Sequence, residues 1–338
     1  MRAYFSHRSF PATRLRRLRK NWFSRALVQE SSLSVGDMIL PVFICEGESV
    51  ESSVPCMPNV FCYSLDRLMF YLEKVVTAGI PAIELFPRIN SDVKDLTGSQ
   101  ALMEDDIVCK AVRAIKGNFP DLGVMTDVAL DPYTSNGQDG IVDEFGYVIN
   151  DATNDILVKQ ALNHVCAGAD MVSPSDMMDG RVLCIRQALE LNNFHNAIIV
   201  AHSAKYASAL YGPFRYAVGS SVNLGRATKE TYQLDPANRS EALSEACLDL
   251  TEGADVVLVK PGLPYLDVLY AIKDLLGAPT FVYHVSGEYS MIKSAAQAGF
   301  IDEKKVVLES LLAFKRAGAD AILTYYALDV ANWLCEAG

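Results

Sequence analysis

Several features are missing from this 338-residue chain, and each absence removes a class of protein. No run approaches the ~18 apolar residues of a membrane span, and the start lacks the apolar stretch of a signal peptide. A cytoplasmic, membrane-free protein is therefore expected. The eight cysteines, at 45, 56, 62, 109, 166, 184, 247 and 335, form no C-x-x-C pair and sit mostly among apolar neighbours. Neither a zinc framework nor a disulfide scaffold is supported. G-x-G-x-x-G does not follow the first strand signal, which argues against a dinucleotide-binding sheet.

Acid is also absent from residues 1–29, which hold eight Arg or Lys and leave 22 basic against 41 acidic residues in the remainder. A basic arm on an acidic body results, inside a net charge of -11. Arg14, Arg16, Arg17, Arg19 and Lys20 could bind nucleic acid, and an Arg-rich, acid-poor start has a transit-peptide flavour. Docking of the arm on the acidic surface of a neighbouring subunit explains the same pattern and is preferred, with no nucleic-acid partner. With 50% hydrophobic residues the chain can bury a large core. The expected division is an arm over residues 1–34 and one catalytic domain over 35–338.

Strand signals occur at Ile39–Cys45, Ala82–Phe86, Gly123–Leu130, Met171–Pro174, Ala197–Ala201, Val256–Lys260, Thr280–Val285 and Ala321–Tyr325. Helical patterns separate most of them, near 65–77, 105–116, 151–167, 182–191, 265–276 and 303–316, and Asn238 with Glu241 reads as a capping box opening another. A weak repeat, Ala-Gly-Ala-Asp at 167–170 and 317–320 and Glu-Gly-Ala-Asp at 252–255, places a helix-ending glycine before a buried strand. Eight β-α units favour a closed (β/α)8 TIM barrel.

Barrels of this kind put chemistry at the C-terminal ends of their strands. There stand Asp127, Asp131, Ser173, Ser175, Lys205, Lys260, Ser286 and Tyr325. Lys260 ends the apolar run Val-Val-Leu-Val, and Lys205 ends another strand. Either lysine could simply reach water or a carboxylate. The sharper expectation is a pair of neutral amines, since burial beside a second cation favours the uncharged nucleophile that condenses with a ketone. Two connections exceed the usual length, 131–150 with a hairpin-like Ile141–Ile149, and 206–236 with Arg215, Arg226 and Lys229. The second reads as an active-site lid bringing cations over the mouth; the alternative is that they pair with Glu230 and Asp235.

Thr126-Asp-Val-Ala-Leu-Asp-Pro-Tyr-Thr, Pro174-Ser-Asp-Met-Met-Asp-Gly-Arg, Tyr206-Ala-Ser-Ala-Leu-Tyr-Gly-Pro-Phe-Arg, Val259-Lys-Pro-Gly-Leu-Pro-Tyr-Leu-Asp and Tyr283-His-Val-Ser-Gly-Glu-Tyr are long, specific motifs. Through them the chain resembles the porphobilinogen synthase (5-aminolaevulinate dehydratase) family along essentially its whole length. The resemblance implies a lyase condensing two 5-aminolaevulinate molecules to porphobilinogen with loss of two waters, in tetrapyrrole (haem) biosynthesis. It also implies a homo-octamer held by the arm. Carried over, Lys260 and Lys205 would form Schiff bases, Ser286 and Tyr325 would hold one substrate carboxylate, and Arg215 and Lys229 the other. Asp127, Asp131 and Asp139 are candidates for proton transfer, with turn and cap duty as the alternative for the last two. A different Schiff-base barrel, such as a class I aldolase, would need only one reactive lysine; a barrel binding nucleic acid through its arm is the other rival.

Zinc-dependent members of that family carry three cysteines in the loop after the third strand. Ala129, Asp131 and Asp139 stand there in this chain. Hard oxygen donors do not favour zinc, so no catalytic zinc is expected, and a monovalent or magnesium ion near Asp131 and Asp139 is left open. Glu245 matches the family's allosteric magnesium ligand, which places this chain with the magnesium-responsive branch.

Overall fold

The computed structural model describes residues 8–220, 224 and 228–337. Among these, one sheet contains β1 (Met38–Cys45), β2 (Glu51–Ser53), β3 (Phe61–Tyr63), β4 (Ala82–Arg88), β5 (Gly123–Val128), β6 (Met171–Pro174), β7 (Ile198–Lys205), β8 (Val256–Lys260), β9 (Thr280–His284) and β10 (Ala321–Thr324). Eight of them run parallel in the order β1-β4-β5-β6-β7-β8-β9-β10, and β10 returns to pair with β1 through Met38 and Ile322. The expected (β/α)8 barrel is the fold. β3 adds to the far end of β1 and carries β2 antiparallel on its outside, a small extension the sequence did not signal.

The closure follows from residue chemistry. Apolar strand residues such as Ile83, Val124, Val172 and Leu258 are buried, packed by helices whose apolar stripes include Leu68, Leu72 and Val75 of Leu65–Thr77. The repeated glycines end helices as their pattern requires, since Gly168, Gly253 and Gly318 have φ of 108°, 109° and 109°, left-handed values that a side chain resists. Boundaries shift slightly from the sequence reading: β5 and β10 stop short of Leu130 and Tyr325, and β7 runs on to Lys205. The helix after the lid begins at Ser240; Asn238 does not cap it but donates its side-chain amide to Glu241 at 2.9 Å.

One irregularity in the barrel wall matters for the site. Ala201 pairs with Val257 and Ala204 with Val259, so β7 spends one residue more than β8 over the same rise. This is a β-bulge at His202 and Ser203. Without it, residues 202 and 205 would point to opposite faces; with it both enter the lumen.

The arm, 8–34, has a short 3-10 turn at Leu15–Arg19 and one helix at Trp22–Leu27. Phe10, Leu15, Leu18, Trp22, Phe23 and Leu27 are exposed on it. Among the described residues no helix is long and apolar enough to cross a membrane.

Candidate active site

Lys205 and Lys260 are partners across the β7–β8 seam, in register and both buried. Adjacent strands run ~4.8 Å apart, so in-register side chains share one face and one cavity. Asp127, Asp131, Ser175, Tyr211, Phe214, Arg215, Lys229 and Gln233 line it with them. The free space there is about 20 Å³, room for about one water on a measure where a single water needs ~10–15 Å³. The described lid therefore has to move before a substrate enters.

The two amines differ. Burial first, and then the neighbouring Lys205 cation, push Lys260 down to about 8. Its Nζ stands 4.6 Å from the Tyr283 ring, 5.3 Å from Phe214 and 5.6 Å from Tyr211, an aromatic wall that stabilises a cation without pairing it. Lys205 instead hydrogen-bonds the Ser175 carbonyl and lies 3.8 Å from Asp139. The expectation of two uncharged amines thus fits Lys260, whereas Lys205 is ion-paired here because a carboxylate and a carbonyl face it.

Of the aspartates, Asp127 is pushed up to about 6 by burial, against the pull of Lys260. Asp139 behaves oppositely: burial works to raise it, but Lys205 and Lys229 together hold it at about 2. Lys229 stands 3.2 Å from Asp131 and 3.0 Å from Asp139, not beside Glu230 or Asp235. Asp131, in the turn after β5, and Asp139 thus clamp a lid cation between them.

Further bonds fasten the same lid to the loops after β5 and β4. Gln138 donates to the Thr228 carbonyl at 3.2 Å, the Tyr232 hydroxyl donates to Gln138 Oε1 at 2.7 Å, and Lys94 donates to the Gly219 carbonyl at 3.2 Å. Gly137 has φ 71°, and a Cβ there would lie 2.8 Å from Leu224 N, so only glycine lets the two backbones approach. The expected hairpin is present, with Val142 bridging Val148 antiparallel. Arg226, the remaining lid cation, lies outside the described residues.

Ser286 and Tyr325 do not line that cavity but stand behind its aromatic wall, against Phe214 and Tyr283. The Ser286 hydroxyl accepts from Phe214 N at 3.0 Å and donates to the Leu210 carbonyl at 3.3 Å, tying the lid's first turn to the barrel. The Tyr325 and Tyr283 hydroxyls are 2.9 Å apart, and Tyr325 stacks on Phe43 at 5.8 Å. Arg215 is half-buried with its guanidinium 5.9 Å from the Tyr211 ring. Sequence reading missed Glu84 and His202, both fully buried beneath the lysines. A glutamate inside an otherwise apolar parallel strand was the available signal.

Glu245 lies elsewhere, on the wall of a cavity of about 340 Å³ that Asp179, Glu230, Asp235 and Glu241 also line. One of its oxygens takes Arg181 at 3.2 Å, and that fully buried guanidinium also holds Asp249 at 3.1 Å. Burial raises the Glu245 carboxyl, and nearby Asp249 and Asp179 add to the shift.

Comparison with known proteins agrees with this geometry. A family model described as delta-aminolevulinic acid dehydratase matches residues 12–333. Dehydratases of that name are 48% identical to this chain in Bradyrhizobium diazoefficiens, over 97% of this chain and 92% of the relative. In Halalkalibacterium halodurans the figures are 48%, 96% and 97%. The crystal structure of the Toxoplasma gondii enzyme, in complex with the reaction product porphobilinogen, superposes with a TM-score of 0.94 at 46% identity, covering 96% of this chain and 92% of that one.

Proposed function

Because the chain belongs to the delta-aminolevulinic acid dehydratase family, we propose that it condenses two molecules of 5-aminolaevulinate to porphobilinogen, releasing two waters, through Schiff bases on Lys260 and Lys205. The observation that carries this reading is the in-register lysine pair, with Lys260 brought down to about 8, so that its neutral amine is within reach near physiological pH. An aldolase of the Schiff-base type needs one reactive amine. Two in one closed space fit a reaction that joins two ketones.

Lys260 reacts first in this reading. Its neutral amine attacks a ketone, and the resulting iminium cation is received by the rings of Tyr283, Phe214 and Tyr211. The iminium withdraws electrons from the neighbouring carbon, which can then lose a proton and form the C–C bond. Lys205, in register on the neighbouring strand, then takes the second ketone as an imine. Asp127 lines the cavity and is the candidate that moves protons. Asp131 and Asp139 take the role of lid clamp through Lys229, which supplies the cation between them; no metal ion is needed at that position. Arg215 and Lys229 are assigned to one substrate carboxylate, Ser286 and Tyr325 to the other. Closing the lid then excludes the water that would hydrolyse the imines.

For regulation we propose a magnesium ion at Glu245. Asp179, Glu230, Asp235 and Glu241 bring further carboxylates to the same cavity, donor chemistry that suits a hard cation keeping several waters, and a cation would relieve the repulsion that adds to the effect of burial on Glu245. Glu245 would hold the ion with the oxygen that Arg181 does not take, and positive charge there would steady Glu230 and Asp235, which line the same cavity at the base of the lid. The exposed apolar residues of the arm support a protein partner over a nucleic acid, and the reading includes a homo-octamer joined through that arm, working in the cytoplasm. Borohydride reduction in the presence of 5-aminolaevulinate, followed by peptide mapping and a porphobilinogen assay, tests the reading. Adducts on Lys260 and Lys205 with porphobilinogen formed are expected; an active preparation with no adduct on Lys260 would refute it.

A further inference from the structure

Below the cavity lies a group that this scheme leaves unused. Glu84 of β4 and His202 of β7 meet across the lumen with Oε1 and Nε2 4.0 Å apart. With Asp127 of β5, one polar atom from each residue comes within 4.8 Å of the others. All three side chains are buried, and both Glu84 oxygens, both His202 nitrogens and Asp127 Oδ1 have no hydrogen-bond partner among the described residues. One such atom is costly to bury, and five together point to a shared task.

The spacing distinguishes two tasks. Donors bound to one metal at ~2.1 Å crowd to about 3 Å from each other, while groups bridged by hydrogen bonds of ~2.8 Å stand about 4.6 Å apart. The observed separations belong to the second case. The charges agree: Lys260 and Lys205 face Glu84 from β8 and β7, Ser173 from β6, and Tyr283 and Tyr325 from the aromatic side. His202 feels the same two lysines and Arg181. A dication would sit among cations, whereas a proton on a carboxyl leaves the group neutral.

We propose that Glu84 and His202 are positioning residues that hold one exchangeable proton beneath Asp127 and release it as the Lys260 imine forms. This rests on Lys260 being the imine-forming residue. Burial, followed by repulsion from Asp127, already pushes Glu84 up to about 8, and burial with the two lysine charges keeps the imidazole of His202 neutral. Addition of the neutral amine to the ketone gives a carbinolamine, the proton on nitrogen passing to the new alkoxide. Loss of water then breaks the C–O bond while the nitrogen lone pair forms C=N, and the departing hydroxyl takes the proton of Glu84, passed to it through the Asp127 carboxylate. Glu84 is left as a carboxylate and Asp127 is unchanged. A neutral amine over a neutral acid has become a cation over an anion. The enclosed space keeps its net charge, which is what a poorly solvated site requires.

The test is the rate of borohydride trapping at Lys260 with 5-aminolaevulinate across pH 6 to 10 in wild type, Glu84→Gln and Glu84→Asp. Wild type is expected to rise to about pH 8 and fall above it. Glu84→Gln is expected to trap about 10- to 100-fold more slowly at pH 7 and to lose the alkaline fall, and Glu84→Asp to restore part of both. Infrared spectroscopy of the wild-type enzyme needs no variant: a protonated-carboxyl band present at pH 7 should disappear when the imine forms. A Glu84→Gln enzyme with wild-type rate and profile, an unchanged band, or a stoichiometric metal held by wild type and lost from Glu84→Gln would each overturn this proposal alone. No imine at Lys260 in wild type would overturn it together with the function on which it rests.

Discussion

Lys205 and Lys260 stand opposite each other on β7 and β8, yet only Lys205 has a carboxylate in reach, Asp139 at 3.8 Å. Burial first, and the neighbouring Lys205 second, bring Lys260 down to about 8, and the order of events at the site follows from that inequality.

Replacing either lysine by methionine keeps the buried volume and removes the amine. Both variants should fold, and porphobilinogen formation should drop on the order of 10⁴-fold or more, as when a covalent nucleophile is removed. Mass analysis after borohydride should show that Lys205→Met still traps substrate at Lys260. Near-normal turnover in either variant would contradict the two-amine scheme.

The neutral form of Lys260 accumulates as pH rises toward about 8 rather than toward its usual 10.5. Below pH 7 the initial trapping rate should climb about tenfold per pH unit. In Lys205→Met the repelling cation is gone, so the Lys260 amine should titrate higher and the curve should move to the alkaline side. A curve in the same place would mean that burial alone sets the value.

Asp139 is held at about 2, below its usual 3.8, so its contribution to stability is complete above about pH 4 and is lost as pH falls through 2. Lys229→Met removes one of the two cations responsible. Its acid unfolding midpoint should move to higher pH than wild type, and hydrogen exchange over 206–236 should accelerate, because the clamp to Asp131 and Asp139 is broken. Unchanged exchange would assign the closed lid to its backbone contacts instead.

Glu245→Ala should blunt the response of activity to added magnesium while leaving the reaction itself in place, measured as rate against magnesium concentration. A zinc chelator should not reduce the wild-type rate. An unaltered magnesium response would remove Glu245 from that role, and activity restored only by zinc would overturn the assignment of the aspartate loop.

Arg181 is 1% exposed and shared by Asp176, Glu245 and Asp249. Arg181→Ala leaves buried carboxylates without their counter-ion and should cost about 3–5 kcal/mol in urea unfolding. Because Glu245 is one of its partners, this variant should also disturb the magnesium response. A loss of stability below ~1 kcal/mol would show that solvent reaches the group.

Much of this was legible in the sequence because it rests on local pattern. Apolar runs ending in a polar residue gave the eight barrel strands and both lysines, and glycine at fixed places before them gave the helix ends. The β2–β3 extension escaped since three-residue strands such as Glu51–Ser53 carry no periodicity. Glu84 and His202 escaped for a different reason. Period-two alternation cannot foresee a bulge, so His202 and Lys205 count as opposite faces until the pairing with β8 is seen. The bond between Lys229 and Asp139 spans 90 positions and depends on how the lid settles, which no window of residues encodes.

The kink in β7 makes the chemistry depend on backbone shape rather than on side-chain identity at that spot. Exchanging Ser203 for another small residue leaves the kink in place, and deleting it sets His202 and Lys205 two positions apart on a regular strand, still on one face. Straightening the strand with every residue kept is the change that would turn the lysine out among the surrounding helices while the wall stayed closed.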